Sequence, residues 1–341
     1  MDEETGPVFA ERSAVVSDAP NIPTPPFWGV HVKKDYDLRE VFPYINDTAL
    51  FKNQWQLKTA SQEDYARLVE QKFRPIKKQL EEEIIASGVF EPKVVWGYFP
   101  AQGDGNDVVV YAVGTTDEHV GTGAGARPAE QRSPVLDRTS EDASSSIALA
   151  DEAELRSAGR ARAPVPTQTI SPQTKELLRF TFPRQREGRR LCISDFFAPK
   201  TSGKMDVIGL SLVTIGAKAS VETQKLFEAG EYTKYLYLHG LSVETAEALA
   251  EYHHKLMRAE LGINADDSPH TRDLFHQKYR GSRYSFGYPA CPNLEDQTKL
   301  FELLHPEENV GVRLTTGFLL EPEQSTSAIV VHHPAAKYFV V

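Results

Sequence analysis

Cysteine is nearly absent from this chain, which has only Cys192 and Cys291 in its 341 residues. Two thiols exclude a framework of disulfides, and they also exclude a zinc or iron–sulfur site built mainly from thiolates. Positive charge is scarce as well: the chain has 38 Lys and Arg against 48 Asp and Glu, which gives a net charge of −10. Without a Lys/Arg-rich run or a basic excess, the chain lacks the electrostatic signature of a nucleic-acid-binding protein.

Long hydrophobic runs are missing too. No apolar stretch approaches the length of a helix that spans a bilayer, so no membrane association is predicted. The first residues, MDEETGPVFAERS, carry acids where a signal peptide needs a basic start and an apolar stretch. A cytoplasmic location is therefore the prediction. What the chain does have is 40% apolar and 10% aromatic residues, enough to bury a substantial core.

Composition divides the chain into a tail, a domain and an insertion. Residues 1–22 are polar and patternless, which predicts a disordered tail. One domain is predicted over 23–341, with 113–174 as a disordered insertion. That stretch is Ala, Gly, Ser, Thr, Pro and charge with almost no aromatics. Strand-like sequence resumes at Leu177, as though a sheet had been interrupted.

Periodicity places strands first and helices after them. Ser61 is a predicted N-cap with Asp64 three residues on, Pro75 should bend or divide that helix, and Gly88 should end it. Strands without βαβ alternation favour an α+β architecture. The predicted strands are 94–100, 108–111, 177–182, 207–215, 311–320 and 327–331; the later helices are 221–230, 242–261 and 294–304, and 281–293 is a predicted loop.

The most informative stretch is 283–292, RYSFGYPACP. Pro289 and Pro292 remove amide donors and fix φ, while Gly287 allows backbone conformations closed to other residues. Such a loop is stiff, and its Arg283 has a guanidinium that can hold a carboxylate with two parallel hydrogen bonds. On residue chemistry alone, a structural turn with a surface ion pair stays open as the alternative.

The R-x-x-x-G-Y-P-A-C-P string resembles the signature loop of the activation domain of cobalamin-dependent methionine synthase. Other matches follow in the family's order, and together they cover about 24–112 and 175–341. The resemblance implies an α+β fold with a curved antiparallel sheet, helices packed near its middle, and S-adenosylmethionine (AdoMet) in a shallow groove. The further matches are GYFPA at 97–101 with GND at 105–107, the DFFAPKTSGKMDVIG block at 195–209, AEALAEY at 246–252, and HP with KY in 333–338.

The same resemblance assigns roles to the signature loop. Arg283 would bind the AdoMet carboxylate, and the backbone from Tyr288 through Pro289 to Ala290 would contact the ligand. Tyr288 would lie toward the cobalamin. Glu247 is expected either to dock a reducing flavoprotein or, with Glu251 four residues on, to form a solvated acidic face.

Three places depart from the family's pattern. Asn46 stands where well-described members carry an aspartate that holds the AdoMet amino group, and Asp47 is either its substitute or a solvated turn acid. Gln277 replaces a glutamate that steadies the arginine in some members. Val330 and Val331 replace aromatic residues in the final loop, where ligand contacts through the backbone would survive the change.

The family's chemistry is reductive methylation. One electron from flavodoxin and a methyl group from AdoMet return inert cob(II)alamin to methylcobalamin. The sequence shows no folate or homocysteine module, and its Asp-Glu-His at 117–119 departs from the cobalamin-ligand motif. The chain is therefore predicted to be an accessory domain that acts in trans on the cobalamin of a methionine synthase partner, with AdoMet as its bound methyl donor and no metal.

Other functions stay open at this stage. The chain could reactivate another corrinoid methyltransferase, or it could be a non-catalytic regulatory or interaction protein that keeps the fold. An ordinary AdoMet-dependent methyltransferase would show a glycine-rich loop after its first strand, which this sequence lacks.

Overall fold

An antiparallel sheet carries the fold, which is α+β as predicted. The structure is a computed structural model that describes residues 11–17, 21–113 and 175–341. Six strands lie in the order β4-β3-β2-β5-β9-β6, and β1 pairs with β2. A two-residue pair, β7 and β8, lies apart from this sheet. The strands are β1 Gly29–Lys33, β2 Lys93–Asp104, β3 Asp107–Tyr111, β4 Glu176–Thr181, β5 Asp206–Thr214, β6 Ser282–Ser285, β7 Arg313–Leu314, β8 Leu320–Glu321 and β9 Ser325–Val331.

Strand β2 shows why the sheet is covered on both faces. All ten of its residues from 94 to 103 are buried, so neither face is left to solvent. Successive side chains point to opposite faces of a strand. Trp96 and Tyr98 accordingly enter one hydrophobic core. Val95 and Phe99 enter the other.

Helices cover the first of these cores. The longest, α5, packs against β5 and β9 in the middle of the sheet and beside α4. It begins ten residues before the predicted start at 242. The helices are α1 Leu38–Val41, α2 Gln62–Leu68, α3 Arg74–Ser87, α4 Ala217–Glu228, α5 Tyr232–Glu260, α6 Thr271–Leu274, α7 Gln297–Leu304 and α8 Pro306–Val310. No helix in the described part of the chain has the length and apolar character needed to cross a membrane.

The signals that start and end the α2–α3 segment are confirmed. The Ser61 hydroxyl accepts a hydrogen bond from the backbone N–H of Asp64 at 3.1 Å. Gly88 ends α3 in the left-handed region, with φ of 63°. Pro75 lies in the first turn of α3, where its missing N–H is harmless. A π-helical turn, Val69–Phe73, separates the two helices and provides the predicted division.

Two predicted elements differ from the observed ones. The 281–293 stretch is not all loop, because β6 lies inside it and pairs with β9. The predicted strand over 311–320 is reduced to the short strands β7 and β8 around a turn. In both cases, whether a strand forms depends on the other strands available for pairing, and the sequence of one segment does not reveal them.

Part of the predicted tail is packed against the domain. Ser13 and Val16 are buried. The Arg12 guanidinium donates to the Phe197 carbonyl at 2.8 Å, and the Ser13 hydroxyl donates to the Arg189 carbonyl at 2.5 Å. The rest of the predicted tail before residue 21, and residues 114–174 of the predicted insertion, lie outside the described residues.

The 195–209 block is buried at both ends, at 195–198 and 206–209, while residues 200–204 between them are exposed. Asp195 accepts two hydrogen bonds from the Arg184 guanidinium, at 2.6 and 2.8 Å, and one from the Cys192 N–H at 2.9 Å. Asp206 accepts from the Ala198 N–H at 2.7 Å, and its other oxygen lies 2.5 Å from Nε2 of His332. These carboxylates tie loops to strands, which explains why the block is recognisable in sequence.

Candidate functional site

A cavity of about 390 Å³ lies between α5 and the segment that contains β6. Tyrosines and carboxylates dominate its lining. Of the predicted site residues it brings together Asn46, Glu247, Arg283, Tyr288 and Ala290. The lining residues are Tyr44, Asn46, Ala49, Glu244, Glu247, Ala248, Glu251, Leu274, Phe275, Gln277, Tyr279, Arg283, Tyr284, Ser285, Tyr288, Ala290, Cys291 and Tyr338.

Arg283 is the positive centre of the cavity. It lies on β6 opposite Val330, so the sheet fixes its backbone. Its Nη2 is 3.5 Å from Oε2 of Glu247 and 3.6 Å from Oε2 of Glu251, with 20% of its side chain exposed. Burial disfavours the charged guanidinium, yet the two carboxylates hold the pKa of Arg283 above its ordinary value. A permanently charged group is thus oriented on the cavity wall.

Glu251 is buried, so the predicted solvated acidic face is wrong for this residue. Its side chain is 8% exposed and lies 3.6 Å from Arg283 of β6. Burial raises its pKa, while Arg283 and Arg258 oppose that rise. Its Oε1 atom has no hydrogen-bond partner among the described residues. A buried carboxylate oxygen left unpaired is costly.

Glu244 also lines the cavity, although the sequence prediction did not include it. Its Oε1 accepts a hydrogen bond from Nε2 of Gln54 at 3.3 Å. Burial raises its pKa to about 7; the Gln54 bond acts in the opposite direction, and nearby Glu247 adds to the rise. The spacing of Glu244, Glu247 and Glu251 is the signal that was available, since i, i+3 and i+7 lie on one helix face.

The signature loop closes one end of the cavity with a tight turn. The Gly287 N–H donates to the Cys291 carbonyl, and the Cys291 N–H donates to the Tyr288 carbonyl, each at 2.8 Å. Gly287 has φ of 88°, a conformation that favours glycine. Ala290 is buried on the cavity wall, and Tyr288 is 55% exposed at its rim. Pro289 is exposed and is not among the residues that line the cavity.

Asn46 and Asp47 face different surroundings. Asn46 lines the cavity, and its Oδ1 accepts from the N–H groups of Thr48 and Ala49 at 3.1 and 3.3 Å. Asp47 instead lies 2.7 Å from Nζ of Lys77 and 3.1 Å from a guanidinium nitrogen of Arg74. It lines a neighbouring cavity of about 730 Å³, to which Asn46 also contributes. The helix cap made by Asn46 turns the next side chain away, so Asp47 is not placed with Arg283.

Val330 and Val331 do not reach the cavity. Both are buried on β9, and their side chains enter the two hydrophobic cores. Val330 lies opposite Arg283 in the ladder and so helps to position it. Gln277 does line the cavity, but its side-chain oxygen accepts from the Tyr338 N–H at 2.9 Å. The acidic support of Arg283 is therefore provided by α5, and the predicted weakening through Gln277 is offset.

The described part of the chain contains no cluster of three His, Cys, Asp or Glu able to hold a metal ion. The chemistry available at the cavity is ionic recognition. One guanidinium suits a carboxylate, and the carboxylates of α5 suit a cation. A volume of about 390 Å³ lies within the range of cavities that hold small ligands.

Comparison with known proteins agrees with the resemblance seen in the sequence. The sequence model of the family described as "Vitamin B12 dependent methionine synthase, activation domain" matches residues 165–341. A methionine synthase of Mycobacterium leprae is 36% identical over 345 aligned residues, covering 97% of this chain and 24% of the relative. A methionine synthase of Mycobacterium tuberculosis is 35% identical with the same coverage. The chain thus spans about a quarter of the length of these curated relatives.

A solved structure shows the same fold. It is a crystal structure of the MetH reactivation domain bound to AdoHcy, with a TM-score of 0.67 and 23% identity. The match covers 94% of this chain and 83% of that one. At this identity the likeness establishes the arrangement of helices and sheet.

Proposed function

Because the chain belongs to the family of vitamin B12-dependent methionine synthase activation domains, we propose that it binds AdoMet around Arg283 and presents it to cobalamin. The observation that carries the proposal is the cavity itself. It holds one oriented guanidinium, flanked by two carboxylates and bordered by the signature loop. An amino acid head group has the complementary charges, a carboxylate and an ammonium on one carbon.

The head group would be held between β6 and α5. The Arg283 guanidinium binds the carboxylate with two parallel hydrogen bonds. The ammonium donates to Glu251, whose Oε1 is otherwise unpartnered, and to Glu247. The turn from Tyr288 through Pro289 to Ala290 contacts the ligand through its backbone, and exposed Tyr288 faces the cobalamin. Val330 and Val331 contribute indirectly, because they lie on β9, which pairs with β6 and so fixes the strand that carries Arg283.

The chain's own contribution is orientation and proximity. When cobalamin is present it supplies the methyl-accepting cobalt, and reductive methylation of cob(II)alamin takes an electron from a reductant such as flavodoxin. This chain holds the methyl donor in one position and keeps its head group fixed, which converts an encounter into an oriented reaction. We propose that it acts on the cobalamin of a methionine synthase partner in trans.

Glu247 is the proposed contact for the reductant. Its side chain is 45% exposed at the cavity rim, while one oxygen lies near Arg283. A carboxylate in that position can serve the ligand on one side and a docking flavoprotein on the other. The cytoplasmic location predicted from the acidic N-terminus stays a prediction.

Two measurements test the proposal. Isothermal titration should show saturable AdoMet binding. Mixing the protein with cob(II)alamin methionine synthase that lacks its own activation domain, a reductant and AdoMet should then produce methylcobalamin, followed by its absorption spectrum. No saturable binding would overturn the proposal and favour a regulatory protein that keeps the fold. Binding without methylation of this partner would overturn the methionine synthase assignment.

Asn46 and Asp47 give a paired prediction. Asn46→Asp should tighten AdoMet binding about 3- to 10-fold, because a carboxylate keeps the cap bonds and adds charge-assisted attraction for the ligand's amino group. Asp47→Asn is the matched control. It should leave the affinity unchanged within about twofold, since Asp47 is ion-paired with Lys77 and Arg74 outside the cavity. Titration calorimetry at one pH and salt concentration measures both; a larger effect at Asp47 would contradict the assignment.

A further inference from the structure

The cavity around Arg283 carries more negative charge than an amino acid head group requires. Its lining includes three carboxylates, those of Glu244, Glu247 and Glu251, and one guanidinium. When all are ionised, three negative charges and one positive charge leave a net charge of −2. A concave surface lined by one sign of charge concentrates ligands of the opposite sign. The ligand that fits should therefore bring two positive centres with its one carboxylate.

The three carboxylates are not equivalent. Glu247 and Glu251 both lie beside Arg283, at 3.5 and 3.6 Å. Glu244 instead accepts a hydrogen bond from Nε2 of Gln54 at 3.3 Å. Close approach makes this contact possible, since a Cβ on Gly240 would lie 2.7 Å from Cβ of Gln54. Three residues of α-helix rise by about 4.5 Å, so Glu244 lies one helical step beyond the carboxylates that serve Arg283.

AdoMet has its charges at a corresponding spacing. The ammonium and carboxylate share one carbon, and two methylene groups separate that carbon from the sulfonium. With the head group at Arg283, Glu251 is the natural ammonium acceptor, because it is nine-tenths buried on the cavity wall with Oε1 unpartnered among the described residues. Glu244 is then left for the second positive centre.

We propose that Glu244 is the counter-ion of the ligand's sulfonium and makes the site selective for AdoMet over its demethylated product, S-adenosylhomocysteine. The inference rests on the proposed function and specifies how that site distinguishes donor from product. The two ligands have the same head group and adenosine. They differ in one methyl group and one positive charge, so a carboxylate at the sulfur position favours the donor.

Glu244 also predicts how the selectivity changes with pH. Burial raises the pKa of Glu244 to about 7 in the free protein. Ionisation of Glu244 between pH 6 and 8 should therefore strengthen the binding of a sulfonium relative to that of a neutral thioether. The groups that face the cavity from other elements are Arg283, Cys291, Tyr44, Tyr279, Tyr284, Tyr288 and Tyr338. Burial raises the pKa of Tyr279, Tyr284 and Cys291, and Glu247 is the chief cause that raises the pKa of Tyr288. These pKa values therefore shift away from the range between pH 6 and 8.

The test compares both ligands in both proteins. Titration calorimetry at pH 8 would measure AdoMet and S-adenosylhomocysteine affinities for the wild type and for Glu244→Gln, which keeps a hydrogen-bond acceptor for Gln54 but has no charge. We expect about a tenfold loss of AdoMet affinity, equal to about 1.4 kcal/mol, with S-adenosylhomocysteine changed by less than about twofold. The AdoMet preference should rise between pH 6 and 8 in the wild type and stay flat in the variant.

Glu302→Gln is the matched control, because it removes the same charge from an exposed position on α7 outside the cavity. It should leave both affinities unchanged. Retained S-adenosylhomocysteine binding shows that Glu244→Gln is folded. Equal losses for both ligands, or an unchanged preference, would overturn this inference while AdoMet binding by the wild type stands. A wild type that binds neither ligand would overturn the proposed function together with it.

Discussion

Arg283→Ala should weaken AdoMet binding by at least about 30-fold, because truncating one partner of a buried charge pair costs about 2–5 kcal/mol. The substitution deletes the group that holds the ligand carboxylate. It also leaves Glu247 and Glu251 facing that carboxylate without the intervening guanidinium. Titration calorimetry with AdoMet is the direct measurement. Arg283→Lys should fall in between, since an ammonium keeps the charge but cannot make the bidentate contact.

Arg313→Ala is the matched control for that experiment. Arg313 also pairs with a carboxylate, Glu321, at 2.8 Å, but both side chains are at least half exposed and lie outside the cavity. Its removal should leave AdoMet affinity unchanged within about twofold, as expected of an exposed ion pair. AdoMet binding that survives Arg283→Ala would mean that the ligand's carboxylate is held elsewhere.

Arg283→Ala should also change how the free energy of unfolding depends on pH. Burial already raises the pKa of Glu251, and Arg283 limits that rise. In the alanine variant the folded-state pKa of Glu251 rises further above its unfolded value. Such a group contributes stability that is present below the unfolded pKa and is lost as pH rises through the folded pKa. Arg283→Ala should therefore lose more stability at pH 8 than at pH 5, as measured by urea unfolding at the two pH values.

Local sequence signals predicted the parts of the site that are determined locally. The signature loop has two prolines that restrict the backbone and a glycine that permits a positive φ, and the loop forms a tight turn with Gly287 at φ of 88°. Arg283 was identified from the same stretch, and the structure places it on the cavity wall. Ser61 and Gly88 marked the start and end of a helical segment because capping depends on residues three or four positions away.

Features that depend on a residue distant in the chain could not be predicted from local sequence signals. Glu251 has the helical spacing of a solvated face, but in the fold its side chain is 8% exposed and lies beside Arg283 of β6. Glu244 becomes a cavity residue through its contact with Gln54, 190 residues earlier in the chain. Asn46 and Asp47 are neighbours, and the choice between them depends on whether Lys77 and Arg74 lie within reach of one of them. Charge and polarity are visible in sequence, but burial is a property of the fold.

The 195–209 block illustrates a related difficulty. It is among the most recognisable stretches of the chain, yet its Asp195 and Asp206 are buried structural groups outside the cavity. A recognisable motif can thus mark a structural requirement of a fold as strongly as a ligand contact. In this chain the residues beside Asp195, such as Ile193 and Phe196, pack into one core, while α5 packs into the other.

Arg184→Ala should be among the most destabilising single substitutions outside the cavity, lowering the free energy of unfolding by about 3–5 kcal/mol. Arg184 and Asp195 are 4% and 0% exposed, so removing the guanidinium leaves a buried carboxylate without its counter-ion. Arg179→Ala is the comparison. Its 34% exposed side chain pairs with Asp104 at 2.9 Å, and its loss should cost about 1 kcal/mol or less. Urea unfolding of both variants gives the two values.

The double variant Arg184→Met with Asp195→Leu tests the reason for that difference. If the damage in Arg184→Ala comes from an unpaired buried charge, removing both charges should recover most of the lost stability, because a hydrophobic pair of similar volume is often as stable as a buried ion pair. If the double variant is as unstable as the single one, then the hydrogen bonds from Arg184 to Asn106 and to the Arg190 carbonyl are what hold this region together. AdoMet affinity of the folded double variant should match the wild type, since neither residue lines the cavity.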